Sequence, residues 1–490
     1  MIVDRTALVS MLLAAMVAWA AEESARSTAD ATGYVMGRFV ETTPRLDGPL
    51  SAADIASEQL LLEVNTQVRF DLPRRSKVYG DVSLINQAGF RYLMLDANET
   101  EHTAKPRDVQ VMRPFVSINE LYALIEAVPA LNFVVGKKRI VWGAGMAYKP
   151  TDLLNPRRDP TDPSSQRAGA WIAQIEIPLE TVTVSLLFSP QVMRQANGIP
   201  YQWAVHPEWD KKDDAVHALA VARVGALVFD SDVNLMLFSG NQYGDAFRDK
   251  FRLGASVSRN FFEVNELHAE TLLFTGSSRL YFDGGCVGSQ QDALRCVVAQ
   301  KPMASRSMLN DRQINASLLA GGRRTFDDDS VLSIEYLLQT DGYSRDQVQD
   351  QVNAFDLISR ASRLGLPVGA LPGAADFLGT TSSDTGIPVR LSFQPTAQHY
   401  LFLSFQKPRI FDDFTAQLVV VANLQDFSTL WTPSVSWSAT EWMTLSLFGM
   451  LPLIGPHSLA ASIPSSNDKA TEFGLLPLSY RVFAEVRVFY

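Results

Sequence analysis

Glu266, His268 and Glu270 are separated by single residues. In an extended chain that spacing puts the three side chains on one face at steps of about 7 Å. An imidazole flanked by two carboxylates can ligate a metal or move a proton. The wall of a water-filled lumen needs polar residues at the same alternate positions, and the lumen wall is the expected role. Nothing else in the chain competes as chemistry. There is no phosphate-binding glycine loop, no G-x-S-x-G elbow, no H-E-x-x-H pair and no C-x-x-C pair. Six histidines scattered over 490 residues supply few metal ligands. No Ser/His/acid set has the spacing of a hydrolase seated on a barrel rim. Catalytic, cofactor and metal residues are therefore expected to be absent, and the chain is not expected to be an enzyme.

The elements that must carry these side chains alternate with period 2, which places successive residues on opposite faces of a sheet. In residues 60–71, Leu60, Leu62, Val64, Val68 and Phe70 share one face, while Glu63, Asn65, Gln67, Arg69 and Asp71 share the other. Residues 181–189, 251–258, 311–320 and 331–340 repeat the pattern. Such stretches are about ten residues long, the length of a tilted strand crossing a bilayer. Short turns rich in Pro, Asp and Asn fall near 72–75, 128–130, 178–180, 229–232, 259–261, 325–329, 408–413 and 438–441. Longer connections alternate with them, at 42–58, 88–108, 142–168, 190–213, 242–250, 276–309, 341–397, 423–427 and 451–477. A first strand near 33–40, a hairpin around each short turn and a last strand at 478–490 give about eighteen strands, with sixteen as the alternative. The expected fold is all-β: a transmembrane antiparallel β-barrel over residues 21–490, with long extracellular loops and short periplasmic turns.

Charge and composition agree with this. A formal net charge of −10 without a basic block gives no footprint for nucleic acid. Arg5, an apolar run over 7–20 and the Ala18-Trp19-Ala20 site make residues 1–20 a secretory signal peptide. After residue 20, no uninterrupted apolar run reaches the roughly 18 residues of a spanning helix. Cys286 and Cys296 lie in a polar segment without clear periodicity and are expected to form a local disulfide in a surface loop.

The last strand alternates through Leu478, Tyr480, Val482, Ala484, Val486, Val488 and Tyr490. With its terminal aromatic it resembles the C-terminal assembly signal of Gram-negative outer-membrane barrels, carried here by Val486, Val488 and Tyr490. The resemblance implies the barrel-assembly machinery as a partner during biogenesis and outer-membrane lipid as a partner afterwards. Trp171, Trp431, Trp437, Trp442, Tyr480 and Tyr490 suit the aromatic girdles at the two interfaces.

The segment from Gly136 through Trp142 and Gly143 to Pro163, preceded by Ile118-Asn119-Glu120-Leu121-Tyr122, resembles a strand-plus-loop signature of alginate-export-type and related uncharacterised porins. Lys138 and Ala144 depart from that pattern, so no substrate carries over. The resemblance implies a loop folded into the lumen, with Trp142, Lys149, Asp152, Asn155, Arg157, Arg158 and Asp159 as candidate constriction residues. An external loop stiffened by Pro and Gly is the alternative. Residues 341–397, with a helix expected over 346–364, are a second candidate plug or an external cap. The lumen lining inferred from alternation is Glu63, Asp81, Glu176, Glu266, His268, Glu270, Glu335 and Glu485, with Arg69, Arg223, Arg252, Arg481 and Arg487. This mixed lining predicts no strong charge selectivity. The expected function is a porin-like channel for passive diffusion of small solutes. A plugged barrel serving as a surface-binding or structural protein is the alternative, and an outer-membrane enzyme comes third.

Overall fold

The computed structural model describes residues 28–44, 55–72, 75–93, 105–111, 115–154, 169–190, 218–240, 250–262, 264–277, 279, 281–299, 301, 304–305, 313–363, 395–453, 471–473 and 478–490. Residues 1–20, where the export signal is expected, lie outside them.

The strands follow the alternation. In chain order they are β1 (Thr28–Pro44), β2 (Ile55–Asp71), β3 (Lys77–Leu93), β4 (Lys105–Val111), β5 (Phe115–Val128), β6 (Leu131–Lys138), β7 (Ala170–Pro178), β8 (Val182–Pro190), β9 (Ala218–Val228), β10 (Ser231–Gly240) and β11 (Lys250–Phe261). They continue with β12 (Asn265–Thr275), β13 (Tyr281–Phe282), β14 (Ala304–Ser305), β15 (Ile314–Thr325), β16 (Val331–Gln339), β17 (His399–Ile410), β18 (Phe414–Asn423), β19 (Thr429–Thr440), β20 (Met443–Leu453) and β21 (Leu478–Phe489). One antiparallel sheet holds nineteen of them, while β13 and β14 form a small two-stranded sheet of their own. β3 pairs with β5 over Lys77–Ile85 and with β4 over Ala88–Leu93, so β4 and β5 occupy one place in the wall. Eighteen positions remain around the barrel, and it closes where β1 pairs with β21, Tyr34 facing Phe489 and Val40 facing Phe483.

Three local expectations need correction. The stretch 88–108 contains the end of β3 and the start of β4, because these residues pair with each other beyond the end of β5. The turn expected at 259–261 falls at Phe262–Val264, since Arg259, Asn260 and Phe261 still pair with β12. The cysteine segment is helical, over Gly284–Val287 and Gln290–Val298. Asp283 caps the first of these helices by accepting from the Gly285 N–H, a feature that hydrophobic periodicity over so few residues does not reveal. The Cys286–Cys296 disulfide joins the two helices and is buried with Phe282, Val287 and Ala354 against the helix Arg345–Arg363.

The barrel is apolar outside, and its inner face carries buried polar side chains on some strands and apolar ones on others. On β2, Leu60, Leu62 and Val64 are exposed while Asn65 is completely buried. Leu186, Leu235, Leu237, Ile334 and Val486 extend the outward apolar face around the wall, and Trp431, Trp437, Trp442, Tyr480 and Tyr490 are exposed as well. In water this distribution would be costly, whereas in lipid the outward face is solvated and the closed sheet leaves no open strand edge.

Gly136 on β6 shows how tightly neighbouring strands approach. Its φ is +129°, and a Cβ there would lie 2.2 Å from the Leu121 carbonyl oxygen and 2.7 Å from the Tyr122 Cα. Gly136→Ala combines a backbone conformation that costs about 1–3 kcal/mol for other residues with a clash against backbone. The expected result is a lower melting temperature of the refolded barrel and weakened β5–β6 pairing by hydrogen exchange. An unchanged melting temperature would contradict this account of the strand.

Candidate functional site

The interior site is built by the connection between β6 and β7, described from Arg139 to Leu154. It leaves the wall with the Arg139 N–H donating to Glu120 Oε1 at 2.7 Å, and returns where the Gly169 N–H donates to the Asn119 carbonyl at 2.8 Å. From Arg139 to Leu154 it lies inside the barrel. Ile140, Trp142 and Leu154 are buried against Leu187, Leu219, Val221, Met236, Phe238 and Leu272, the inward residues of β8, β9, β10 and β12. The Arg223 guanidinium sits 5.6 Å from the Trp142 ring centroid. Further along, Ala147 and Tyr148 pack on the cluster formed by Leu319, Leu337, Tyr400 and Phe402.

Two wall carboxylates hold this loop. Glu270 on β12 is 3% exposed; its Oε1 accepts from the Thr151 N–H and hydroxyl, both at 2.6 Å, and its Oε2 accepts from the N–H groups of Ala144 and Gly145 at 2.9 and 3.2 Å. Glu335 on β16 accepts from the Met146 N–H at 2.5 Å and the Ala147 N–H at 2.8 Å. Gly143, at φ +87°, lets the backbone approach, since a Cβ there would lie 2.6 and 2.7 Å from the Glu270 oxygens. Buried carboxylates are favourable when such donors surround them. The arrangement turns the irregular backbone of 143–151 into a ligand for two fixed charges.

His268 belongs to the same assembly. Its Nε2 is 2.8 Å from Glu335 Oε1, and its Nδ1 lies 3.8 Å from Glu266 Oε1. Among the described residues, no group of three or more His, Cys, Asp or Glu side chains is placed to hold a metal ion. The imidazole instead supports the Glu335 carboxylate that receives the loop.

Away from these loop contacts, β21, β1, β2, β3 and β5 carry a polar network. Asn65 and Asn119 both donate to Asp81 Oδ1, at 2.6 and 2.9 Å, and to Ser83 Oγ, at 3.0 and 2.9 Å. Ser83 donates to Glu63, and Tyr34 donates to the same carboxylate. Glu485 lies between Arg38 and Arg487, with nearest contacts of 2.7 and 2.8 Å. Arg481 stacks over Phe483, Gln174 donates to Glu176, and Arg252 is buried on β11. Arg69 pairs with Asp71 in an exposed position. Lys149 and Asp152 share the inner turn, the Asp152 N–H donating to the Lys149 carbonyl. Asn155, Arg157, Arg158 and Asp159 lie outside the described residues.

Alternation gave no notice of a second cluster, at the rim of the long connections. Arg279 donates to Asp341, Gln339 and the Thr396 carbonyl, and Tyr281 donates to the Asp341 carbonyl. Glu472 is buried between Tyr400, Thr396 and Asn423, all of which donate to it, beside a fully buried Phe473. Burial is the dominant influence and raises the Glu472 pKa, against the lowering effect of the Thr396 and Tyr400 hydrogen bonds. A carboxyl whose folded pKa is raised contributes stability below its unfolded pKa and loses it as pH rises through the folded value. Amide protection at 396–398, corrected for intrinsic exchange, is therefore expected to increase on going from pH 7 toward 4.5. A decrease would show that the hydrogen bonds outweigh desolvation.

Neither a protein-family model nor a curated protein matches the chain. Among solved structures it is similar to OccK7 (OpdD) of Pseudomonas aeruginosa, at 9% identity and a TM-score of 0.47, over 95% of this chain and 99% of that one. OccAB1 of Acinetobacter baumannii gives 9% identity and a TM-score of 0.45 over 94% and 96% of the two chains. OccK2 (OpdF) of P. aeruginosa, in complex with glucuronate, gives 10% and 0.44 over 94% and 97%.

Proposed function

We propose that the chain is an outer-membrane channel through which small solutes diffuse passively, narrowed from within by the connection that follows β6. The observation that carries this reading is the inverted barrel: an apolar outer face around an interior with buried charged and polar groups on β21, β1, β2, β3 and β5, and with 139–154 folded inside it. Surrounding lipid and, during biogenesis, the barrel-assembly machinery are the partners this implies, with no nucleic acid and no catalysis. The charged groups of β21, β1, β2, β3 and β5 would line the passage and orient dipolar solutes. The likeness of 136–163 to alginate-export-type porins supports an inward loop and assigns no cargo.

The clamp on the loop and the buried Glu472 cluster favour the second reading, a plugged barrel. Single-channel recording of the refolded protein in a planar bilayer separates the two, alongside the heat-modifiable gel shift of a closed barrel. Stable conductance steps are expected. A gel shift without conductance would leave the barrel and exclude the open channel.

A further inference from the structure

Three successive inward positions of β16 hold three different parts of the interior. Glu335 accepts from the Met146 and Ala147 N–H groups of the inner loop. Leu337 is fully buried in one apolar cluster with Tyr281 and Tyr343 of the long connections and Tyr400 of the wall. Gln339 accepts from the Arg279 guanidinium at 2.6 Å and donates to the Ala397 carbonyl at 3.3 Å. The inner loop packs on the same cluster through Ala147 and Tyr148, and the β20–β21 connection enters it through Phe473, which has no exposed surface. Glu472, beside Phe473, accepts from the Tyr400 hydroxyl, and that hydroxyl accepts in turn from the Thr396 and Ala397 N–H groups at 2.8 and 2.7 Å. Tyr148 and Tyr400 both interact electrostatically with the Arg279 guanidinium. The inner loop and the long connections therefore meet across packed side chains. In a close-packed interior one member cannot leave without its neighbours losing contacts or shifting.

We propose that the inner loop and the strap 471–473 form one gate. Withdrawal of Phe473 from the cluster loosens 144–148, and release of the loop from Glu270 loosens the contacts that 396–398 make around Tyr400 and Glu472. Coupling of this kind is reciprocal, because each element biases the same pair of packed and unpacked states. An event at the rim of the long connections then reaches the constriction without touching it. The effect on conductance rests on the channel reading, whereas the coupling itself does not.

The test is amide exchange and single-channel conductance of the full-length, disulfide-intact protein as wild type, Phe473→Ala, Glu270→Gln and the double variant. Phe473→Ala is expected to accelerate exchange at 144–148 severalfold, and Glu270→Gln to accelerate exchange at 396–398 severalfold. In the double variant the acceleration at 144–148 should fall short of the product of the two single effects, since a gate already open has less to lose. Val40→Ala, in the separate cluster with Phe448 and Phe483, should leave 144–148 unchanged. If Phe473→Ala gives no heat-modifiable barrel, Phe473→Leu takes its place, with a smaller effect in the same direction. Exchange at 144–148 that ignores the Phe473 substitution, single effects that simply multiply, or equal acceleration by Val40→Ala would each overturn the shared gate. Coupled exchange with no conductance in any variant would keep the gate and remove the open-channel reading.

Discussion

Glu270→Gln is expected to release the inner loop and enlarge the conductance step. Glu270 uses both oxygens as acceptors, Oε1 for the Thr151 N–H and hydroxyl and Oε2 for the Ala144 and Gly145 N–H groups. A glutamine has one acceptor oxygen, so in either orientation its NH2 group faces donors. Each buried donor left unmatched costs about 1–3 kcal/mol. Two such losses amount to several kcal/mol, enough to shift a short inserted loop toward open conformations. Glu270→Gln with Glu335→Gln should go further, because one of the Met146 and Ala147 N–H groups, which use different oxygens of Glu335, then loses its acceptor as well. Amide exchange at 144–151 should accelerate while exchange on the strands stays slow. An unchanged conductance step together with unchanged exchange would mean that the apolar seat of Trp142 and Leu154 holds the loop without the carboxylates.

Removing Val488, Phe489 and Tyr490 is expected to abolish most barrel formation. The Tyr490 carbonyl accepts from the Gly33 N–H at 3.1 Å, and the Tyr490 N–H donates to the Gly33 carbonyl at 3.0 Å. Phe489 donates to the Trp442 carbonyl at 2.8 Å, and the Tyr490 hydroxyl donates to the Asn65 carbonyl at 3.0 Å. Val488 faces both Val35 and Met443, so it belongs to the seam on either side of β21. In lipid each unpaired backbone group costs several kcal/mol because no water replaces the lost partner. The amount of heat-modifiable protein recovered from membranes should fall at least tenfold, that is, by roughly 1.4 kcal/mol or more if it reports an equilibrium. Normal recovery would show that closure is decided elsewhere along the β1–β21 pairing and that the terminal residues are not an assembly signal.

The short turns and long connections were legible because they are written locally. Period-2 alternation names the strands, Pro, Asp and Asn mark the turns, and the two lengths of connection separate the rims. The helix expected over 346–364 lies at Arg345–Arg363 for the same reason, being long enough for a helical period to show. The segment around Cys286 and Cys296 is too short for that, and its helices depend on a cap at Asp283 and on packing against Ala354. β4 was missed because its strand character comes from the overhang of β3 rather than from its own residues.

The sequence by itself therefore determined an all-β chain with an outward apolar face, and the order in which its turns fall. Tertiary structure decided which groups meet. Glu266, His268 and Glu270 look alike along one strand, yet Glu270 receives four donors from a loop more than a hundred residues away, while His268 turns to Glu335. Glu472 and Tyr400 come from separate connections and strands and share one buried contact. Alternation fixes the face a side chain takes. Its partner across the interior depends on barrel closure, which brings together residues that no local period relates.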